Sequence, residues 1–213
     1  MAISVDRVYQ TVLAIANKEQ RGYITPREFN LFANQAQNTI FEQYFYDLNQ
    51  FKRIPGNNDI ETDVVALVED KVSIFSNTVL LNNEDPASGN SKFTLPNNFY
   101  RLVQVRTGSS HSDVNINRLS RKDFWEANQA PLTKGTLRRP NCYMHQEGVI
   151  WVNPDGIEQI YVNYIRQPLA PRWAYLVVND VALWNPDPAA GSQNFELHPS
   201  EEVKLVYKIL KLA

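Results

Sequence analysis

Cysteine is almost absent from this chain of 213 residues, because Cys142 is the only one. A single cysteine excludes an intrachain disulfide and a cysteine-based zinc site, and it suits a reducing cytoplasm. The sequence also has no run of about 18 apolar residues and no basic start followed by an apolar block. We therefore expect neither a membrane span nor a signal peptide.

A strong charge of either sign is also missing. The chain has 21 Lys and Arg against 23 Asp and Glu, for a net charge of −2. This balance gives no electrostatic footprint for sequence-independent nucleic-acid binding. With 43% hydrophobic and 21% charged residues, the composition predicts an ordinary soluble globular protein with a real core.

The common catalytic and nucleotide-binding motifs are missing too. No Gly-x-x-x-x-Gly-Lys, Gly-x-Ser-x-Gly or Gly-x-Gly-x-x-Gly occurs. His111, His145 and His198 lie in separate segments without the spacing of metal ligands. Cys142 and His145 are three apart, so on a strand they would point to opposite faces. We expect no catalytic, cofactor or metal site, and no enzyme.

Residues 17–28 have the length of a calcium-binding EF-hand loop. Gly22 and Glu28 fit its sixth and twelfth positions, but Arg21 stands where a calcium ligand is needed. Pro26 inside the loop is also foreign to that motif. Helix capping explains the same residues, so we expect a helix start here and no calcium.

The strongest helix signal begins at Thr25. Thr25 is the predicted N-cap, Pro26 occupies the first helical position and Glu28 the third, which together form a capping box. Apolar residues then recur at three- and four-residue spacing until about Arg53, where residues 55–58 predict a turn. At about 1.5 Å per residue this helix is on the order of 40 Å long. It is the predicted spine of a helical layer.

Two shorter helical patterns flank the long helix, over residues 4–17 and 59–75. Short connections between apolar helices predict an antiparallel three-helix layer. A last helical pattern begins at Ser200 and still continues at Ala213, from which we expect a somewhat longer gene product.

Between these helices the pattern changes to short apolar or alternating runs, at roughly ten-residue spacing. Strands are predicted over residues 79–81, 93–96, 100–106, 114–117, 142–145, 149–152, 160–165, 175–178 and 182–184. A short helix is expected near 120–129.

The predicted fold class is α+β. An N-terminal antiparallel helical bundle occupies residues 1–77. An antiparallel β domain, a sandwich or small barrel, is inserted over 78–198. The C-terminal helix, 199–213, returns to the bundle.

Basic and aromatic residues of the β region are candidates for contact surfaces. The basic clusters are Lys134 with Arg138 and Arg139, and Arg118 with Arg121 and Lys122. Solvated loops and intersubunit salt bridges explain them better than a positive rim facing DNA or an acidic neighbour. Four tryptophans accompany abundant Tyr, Phe, Asn and Gln: Trp125, Trp151, Trp173 and Trp184. This mixture suits partly apolar interfaces, although the β core claims some of these rings.

Several segments resemble virion structural proteins of tailed bacteriophages, especially marine ones. They are ISVDRVY at 3–9, GYITPREFN at 22–30, FEQYF at 41–45 and FELHPSEE at 195–202. The layout, a helical bundle interrupted by a β domain, is similar to head-to-tail connectors. These include the tail tubular protein A of short-tailed phages and the ring proteins below the portal in crAss-like phages. Leu95-Pro96 and Tyr100-Arg101-Leu102 resemble their first β segment.

The resemblance implies a ring of twelve copies whose helices dock on the portal protein and whose β domains face tail or nozzle proteins. DNA would pass through its lumen without sequence-specific binding, in the neck or tail of a virion assembled in the host cytoplasm. A closing ring needs two different faces on each subunit. The candidate interface residues are Phe32 and Tyr44 on the long helix, and Arg118, Arg121, Trp125, Arg138, Arg139 and Trp184 in the β domain.

Two alternatives stay open. The chain could be another tail or baseplate component, which a partner other than the portal would reveal. It could also be a host- or carbohydrate-binding module that uses exposed rings such as Trp125 or Trp184 in a groove.

Overall fold

The computed structural model describes residues 2–18, 24–53, 59–84, 91–108, 114–145, 148–179 and 181–213. Its helices are α1 (Val5–Lys18), α2 (Pro26–Arg53), α3 (Asp59–Ser73), α4 (Arg121–Gln129) and α5 (Glu202–Leu212). Its strands are β1 (Ser76–Asn82), β2 (Ser91–Thr94), β3 (Phe99–Thr107), β4 (Asn117–Arg118), β5 (Asn141–Met144), β6 (Val149–Asn153), β7 (Gln159–Arg166), β8 (Tyr175–Val178) and β9 (Val181–Trp184). The fold class is α+β, as predicted.

The chain packs into two compact units. The helical unit consists of Met1–Ile74 and Pro168–Ala213, and the β unit is Phe75–Gln167. The β unit is thus inserted into the helical unit, which the sequence predicts. The predicted boundaries are wrong, however, because the residues from 168 to 198 belong to the helical unit and those from 75 to 77 to the β unit.

The segment from 168 to 198 belongs to the helical unit because its large apolar side chains are buried there. Phe195 and Leu197 have no exposed surface, and Trp173 is only 2% exposed. They fill the core of the helical unit. A short apolar run shows that a segment is buried, but it carries no information about which core takes it.

Helix α2 begins with the predicted capping box. The backbone N–H of Glu28 donates to Oγ1 of Thr25 at 3.3 Å, and the N–H of Thr25 donates to Oε2 of Glu28 at 3.0 Å. The Thr25 hydroxyl donates to the same carboxylate oxygen at 2.7 Å. The hydroxyl first, and then the backbone N–H, lower the pKa of Glu28. The charged carboxylate is therefore the form that caps this helix.

The capping contacts also bear on the calcium-binding loop considered for residues 17–28. Residues 19–23 of that loop lie outside the described residues, but Thr25, Pro26 and Glu28 make up the helix start. Among the described residues, no group of three or more His, Cys, Asp or Glu could hold a metal ion. Capping accounts for the part of the stretch that the structure describes.

The core of the helical unit is aromatic. The ring of Tyr9 on α1 lies 4.7 Å from that of Phe29 and 4.4 Å from that of Trp173, measured between centroids. The Tyr9 hydroxyl donates to the Ile24 carbonyl at 3.2 Å. Helices α1 and α2 and the chain at Trp173 therefore share one core.

Two amide side chains lie on one face of α2, about two turns apart. They bind the segment of the helical unit that follows the β unit. Asn30 donates to the Trp173 carbonyl at 3.2 Å and accepts from the Trp173 N–H at 2.7 Å. Gln37, fully buried, donates to the Leu169 carbonyl at 2.7 Å and accepts from the Glu196 N–H at 3.1 Å. These part-buried backbone groups are thereby satisfied.

The last helix returns to the bundle, as predicted. Helix α5 packs against both α1 and α2. It buries Leu205, Val206 and Ile209. Arg7 on α1 also pairs with Glu202, with Nε 2.8 Å from Oε1.

The β unit is a sandwich of two sheets. Strands β1, β7 and β3 form one sheet in that order, and β2, β6, β5 and β4 form the other. Both sheets contribute buried residues to one core, including Phe93 and Ile150 from the second sheet and Val105 and Val162 from the first. The predicted antiparallel pairing holds except for β4, whose two residues pair parallel to β5.

Helix α4 confirms the short helix predicted within the β unit. The N–H of Asp123 donates to Oγ of Ser120 at 3.2 Å, so Ser120 is the N-cap. Phe124 is the buried residue of this helix, and its ring lies 4.6 Å from that of Tyr143. This contact places the exposed side of α4, with Arg121 and Trp125, on the surface of the β unit.

Candidate protein interface

Strands β8 and β9 form a two-stranded antiparallel hairpin in the helical unit. The paired residues are Tyr175 with Trp184, Leu176 with Leu183, Val177 with Ala182, and Val178 with Val181. All eight are apolar. The sequence predicts both strands but places them in the β domain.

Both faces of this hairpin are apolar. Paired residues share a face, and successive residues alternate between faces. One face carries Leu176, Val178, Val181 and Leu183, each between 49% and 59% exposed. The other carries Tyr175, Val177, Ala182 and Trp184, of which Val177 is 64% exposed. A sheet normally buries at least one face, and an isolated hairpin is marginal in water, so this exposed hairpin is a candidate contact surface.

The base of the hairpin is fixed to the core of the helical unit. The rings of Tyr175 and buried Trp173 stack with centroids 5.7 Å apart and an interplanar angle of 22°. The N–H of Asn185 donates to the Ala174 carbonyl at 2.9 Å, which extends the pairing by one step. The exposed hairpin is therefore held at a defined position by a rigid base.

A groove of ≈ 770 Å³ adjoins the hairpin. Its walls include Arg27, Leu31 and Asn34 of α2 on one side, and Pro171, Tyr175 and Leu176 on the other. Tyr175 and Leu176 belong to both the groove and the hairpin. We refer to β8, β9 and this groove together as the hairpin surface.

The predicted interface residues divide between the two units. Phe32 and Tyr44 lie in the helical unit, as does Trp184 on the hairpin surface. Arg118, Arg121, Trp125, Arg138 and Arg139 lie in the β unit, and all five are exposed. Trp184 is also exposed, whereas Phe32 is half-buried. Seven of the eight thus stay accessible in some degree.

Tyr44 is the exception, and its prediction as an interface residue is wrong. It is only 2% exposed, and the Lys71 ammonium lies 6.0 Å from its ring centroid. Burial first, and then the charge of Glu201, raise the pKa of the Tyr44 hydroxyl. A broad apolar stripe on a long helix does not show which edge the neighbouring helices cover.

The β unit carries a row of rings around its buried Tyr143. Trp125 of α4 lies 6.3 Å from Tyr143, and Trp151 of β6 lies 6.2 Å from it on the same centroid measure. Trp125 is 47% exposed and Trp151 is half-buried. These rings form a second accessible aromatic surface.

Cys142 lies within the sandwich core near Arg118. Burial raises the pKa of its thiol to about 12, although the charge of Arg118 acts in the opposite direction. The thiol is therefore neutral near pH 7 and is no nucleophile there.

Trp184 is the only residue of the hairpin surface that the sequence predicts as an interface residue. The missed signal is Asn179-Asp180 between two apolar runs, a spacing typical of a two-residue hairpin loop. Asn179 has a φ of 50°, a conformation that asparagine tolerates better than most residues. Periodicity alone could not have shown how much of both faces stays exposed.

The fold and its exposed surfaces define an α+β protein with a candidate protein-binding surface. Among the described helices, none is long and apolar enough to cross a membrane. A scan against protein-family models gives no match, and a search of curated proteins gives no significant match. The function of the chain must therefore be inferred from its exposed surfaces and from the resemblance of its sequence.

Proposed function

We propose that this chain is a structural component of a tailed-phage virion, a head-to-tail connector that docks below the portal and joins it to the tail. In this proposal twelve copies form an adaptor or neck ring. Its lumen passes DNA without sequence-specific binding. The chain has no catalytic role and reaches the virion neck after assembly in the host cytoplasm.

The hairpin surface is the observation that carries this proposal. Its eight strand residues are apolar on both faces, and its base is fixed by Trp173. An exposed apolar patch of this kind is typical of a protein–protein contact. A binding hairpin on a rigid base suits a permanent assembly better than it suits a small ligand.

The connector role draws further support from the sequence. The segments that resemble phage virion proteins include the start of α2 and residues 195–202 in the helical unit. A β unit inserted between helices also matches the layout of connectors to which the sequence is similar. The net charge of −2 permits a lumen that does not retain DNA strongly.

The decisive experiment is the solution mass of the purified protein, alone and mixed with the portal protein of the same genome. We expect a closed ring, or a ring that forms only on the portal. The variant Leu176→Ser/Leu183→Ser removes two apolar side chains from one hairpin face. It should lose assembly on the portal while its circular dichroism and melting temperature stay unchanged.

The matched control is Leu132→Ser/Leu137→Ser. These leucines are 99% and 67% exposed in the β unit, so the control makes the same chemical change elsewhere. It should assemble like the unmodified protein. A monomer that ignores the portal would contradict the connector and favour another tail or baseplate component.

One observation favours a host- or carbohydrate-binding module as the second candidate. Trp125 and Trp151 flank Tyr143, and rows of accessible rings stack on sugar faces. A monomer whose tryptophan fluorescence responds to bacterial surface polysaccharide, but not after Trp125→Ala, would establish this alternative.

A further inference from the structure

Helix α3 shows an acidic and apolar stripe to solvent. Asp63, Leu67 and Asp70 follow at i, i+4 and i+7, so they share one face of the helix. All three are exposed, and Leu67 is 62% exposed. Val68 and Val72 are buried on the other side of the helix. We refer to Asp63, Leu67 and Asp70 as the acidic stripe.

Helix α5 shows a basic and apolar stripe. Val203 and Tyr207 are 66% and 68% exposed, and they lie one turn apart. Lys204, Lys208 and Lys211 follow at i, i+4 and i+7 beside them. These side chains line a shallow depression of ≈ 590 Å³ that is widely open to solvent. We refer to these five residues as the basic stripe.

The lysines of the basic stripe crowd one another. Burial first, and then the charges of Lys204 and Lys211, lower the pKa of Lys208. Lys204 has an acidic partner, because its Nζ lies 3.6 Å from Oε2 of Glu201. An external carboxylate near Lys208 and Lys211 would relieve the remaining repulsion.

Within one chain, the charged residues of the two stripes do not pair with each other. Among the residues that the structure describes, no ion pair joins Asp63 or Asp70 to Lys208 or Lys211. Helix α3 instead meets the start of α5 through Lys71, whose ammonium bonds Oε1 of Glu201. The acidic and the basic stripe therefore both remain for contacts outside the copy.

We propose that the basic stripe of one copy docks on the acidic stripe of a second copy. Lys208 and Lys211 face Asp63 and Asp70, while Val203 and Tyr207 pack around Leu67. The charges match in sign and the apolar residues lie beside them, so the occupant that fits is another copy of this chain. Each copy then uses one helix for each neighbour, which is the kind of contact that closes a ring. This inference rests on the proposed ring and assigns residues to its subunit contact.

Charge reversal tests the contact. Variant one, Lys208→Glu/Lys211→Glu, places acid against acid, and variant two, Asp63→Lys/Asp70→Lys, places base against base. Each alone should be a monomer by light scattering after gel filtration. Lys204 is left unchanged because it pairs with the buried carboxylate of Glu201. Circular dichroism checks that both variants fold.

Mixing the two variants should restore assembly. The acidic α5 of variant one meets the basic α3 of variant two, and the basic α5 of variant two meets the acidic α3 of variant one. The product should contain both proteins in equal amounts, and its formation should weaken as salt is added. The control variant Lys122→Glu/Lys134→Glu carries its charge reversals in the β unit and should assemble alone like the unmodified protein.

A cross-link provides an independent readout. Leu67→Cys and Tyr207→Cys in one chain should form a disulfide between copies on mild oxidation, whereas Leu67→Cys with Leu132→Cys should not. If unmodified protein is monomeric and the first pair does not cross-link, the proposal is overturned. It is also overturned if variants one and two assemble like the unmodified protein. If the unmodified protein is a dimer, and this dimer is lost in each variant alone and restored on mixing, the contact between the stripes is supported but the ring is contradicted.

Discussion

The indole N–H of Trp173 donates to Oδ1 of Asp6 at 3.0 Å, across 167 residues of sequence. Asp6 lies in the first turn of α1, and Trp173 belongs to the part of the helical unit that follows the β insertion. This hydrogen bond therefore joins the two chain segments that make up the helical unit. It also fixes the residue on which the base of the hairpin stacks.

We expect Trp173→Phe to destabilise the helical unit by about 1–3 kcal/mol, because it removes a hydrogen bond to a charged acceptor and leaves that carboxylate partly buried. Urea unfolding followed by circular dichroism measures the change. Trp184→Phe is the control, since that ring is on the exposed hairpin and its replacement should change stability by less than about 0.5 kcal/mol. Equal stabilities of the two variants would show that the Asp6 contact contributes nothing.

The capping box makes the stability of α2 depend on pH. The pKa of Glu28 lies below its ordinary value of 4.5 in the folded chain, so the cap stabilises fully above that value. Its contribution should fall as the pH drops from 4.5 through the lowered pKa. Glu28→Gln should remove this part of the acid dependence, as seen by comparing melting temperatures over that range. Identical acid profiles for the two proteins would contradict the assignment.

Thr25→Ala tests the other half of the cap. Loss of the Thr25 hydroxyl should cost about 1 kcal/mol, the usual effect of removing an N-cap oxygen. Thr25→Ser, which keeps that oxygen, should retain most of the stability. A Thr25→Ser variant as unstable as Thr25→Ala would indicate that the methyl group, and not the hydroxyl, matters.

Gly135 is required by close packing in the β unit. A Cβ at this position would lie 2.5 Å from the backbone carbonyl oxygen of Asn153, which cannot move without disturbing the end of β6. We expect Gly135→Ala to destabilise the protein by about 1–3 kcal/mol through overpacking. Thermal unfolding measures the effect, and Leu137→Ala in the same loop, an exposed change, should be neutral. A neutral Gly135→Ala would mean that the loop shifts freely.

Cys142 should be inert in the folded protein. Its thiol pKa of about 12 leaves almost no thiolate at neutral or mildly alkaline pH, and the side chain has no exposed surface. Reaction with an aromatic disulfide reagent should therefore occur only on unfolding, whereas an added Leu132→Cys should react at once. Rapid labelling of Cys142 under native conditions would contradict this burial.

Local signals predicted the elements well. Thr25, Pro26 and Glu28 fixed the start of α2, and Ser120 fixed the start of α4, because capping depends on residues three positions apart. The strands of the sandwich were found from alternation and turn residues. These features involve neighbours in sequence, which periodicity and spacing can report.

Long-range partners were not predictable in the same way. Nothing local shows that Gln37 bonds Leu169 and Glu196, or that Trp173 enters the helical core. For the same reason, the sequence wrongly assigned residues 168–198 to the β domain and did not show that Tyr44 is buried. The spacing of the charged residues in α3 and α5 shows that they share a helix face. Whether that face is exposed depends on which helices lie beside it.

The ends of the β unit lie side by side. The N–H of Arg166 donates to the Phe75 carbonyl at 2.9 Å, just where the chain enters and leaves this unit. A segment whose two ends meet can be removed or exchanged with only a short splice, since the closure of the remaining chain costs little extra entropy. Recombination between related genes could thus replace residues 75–167 as a cassette, giving the same helical unit a different sandwich.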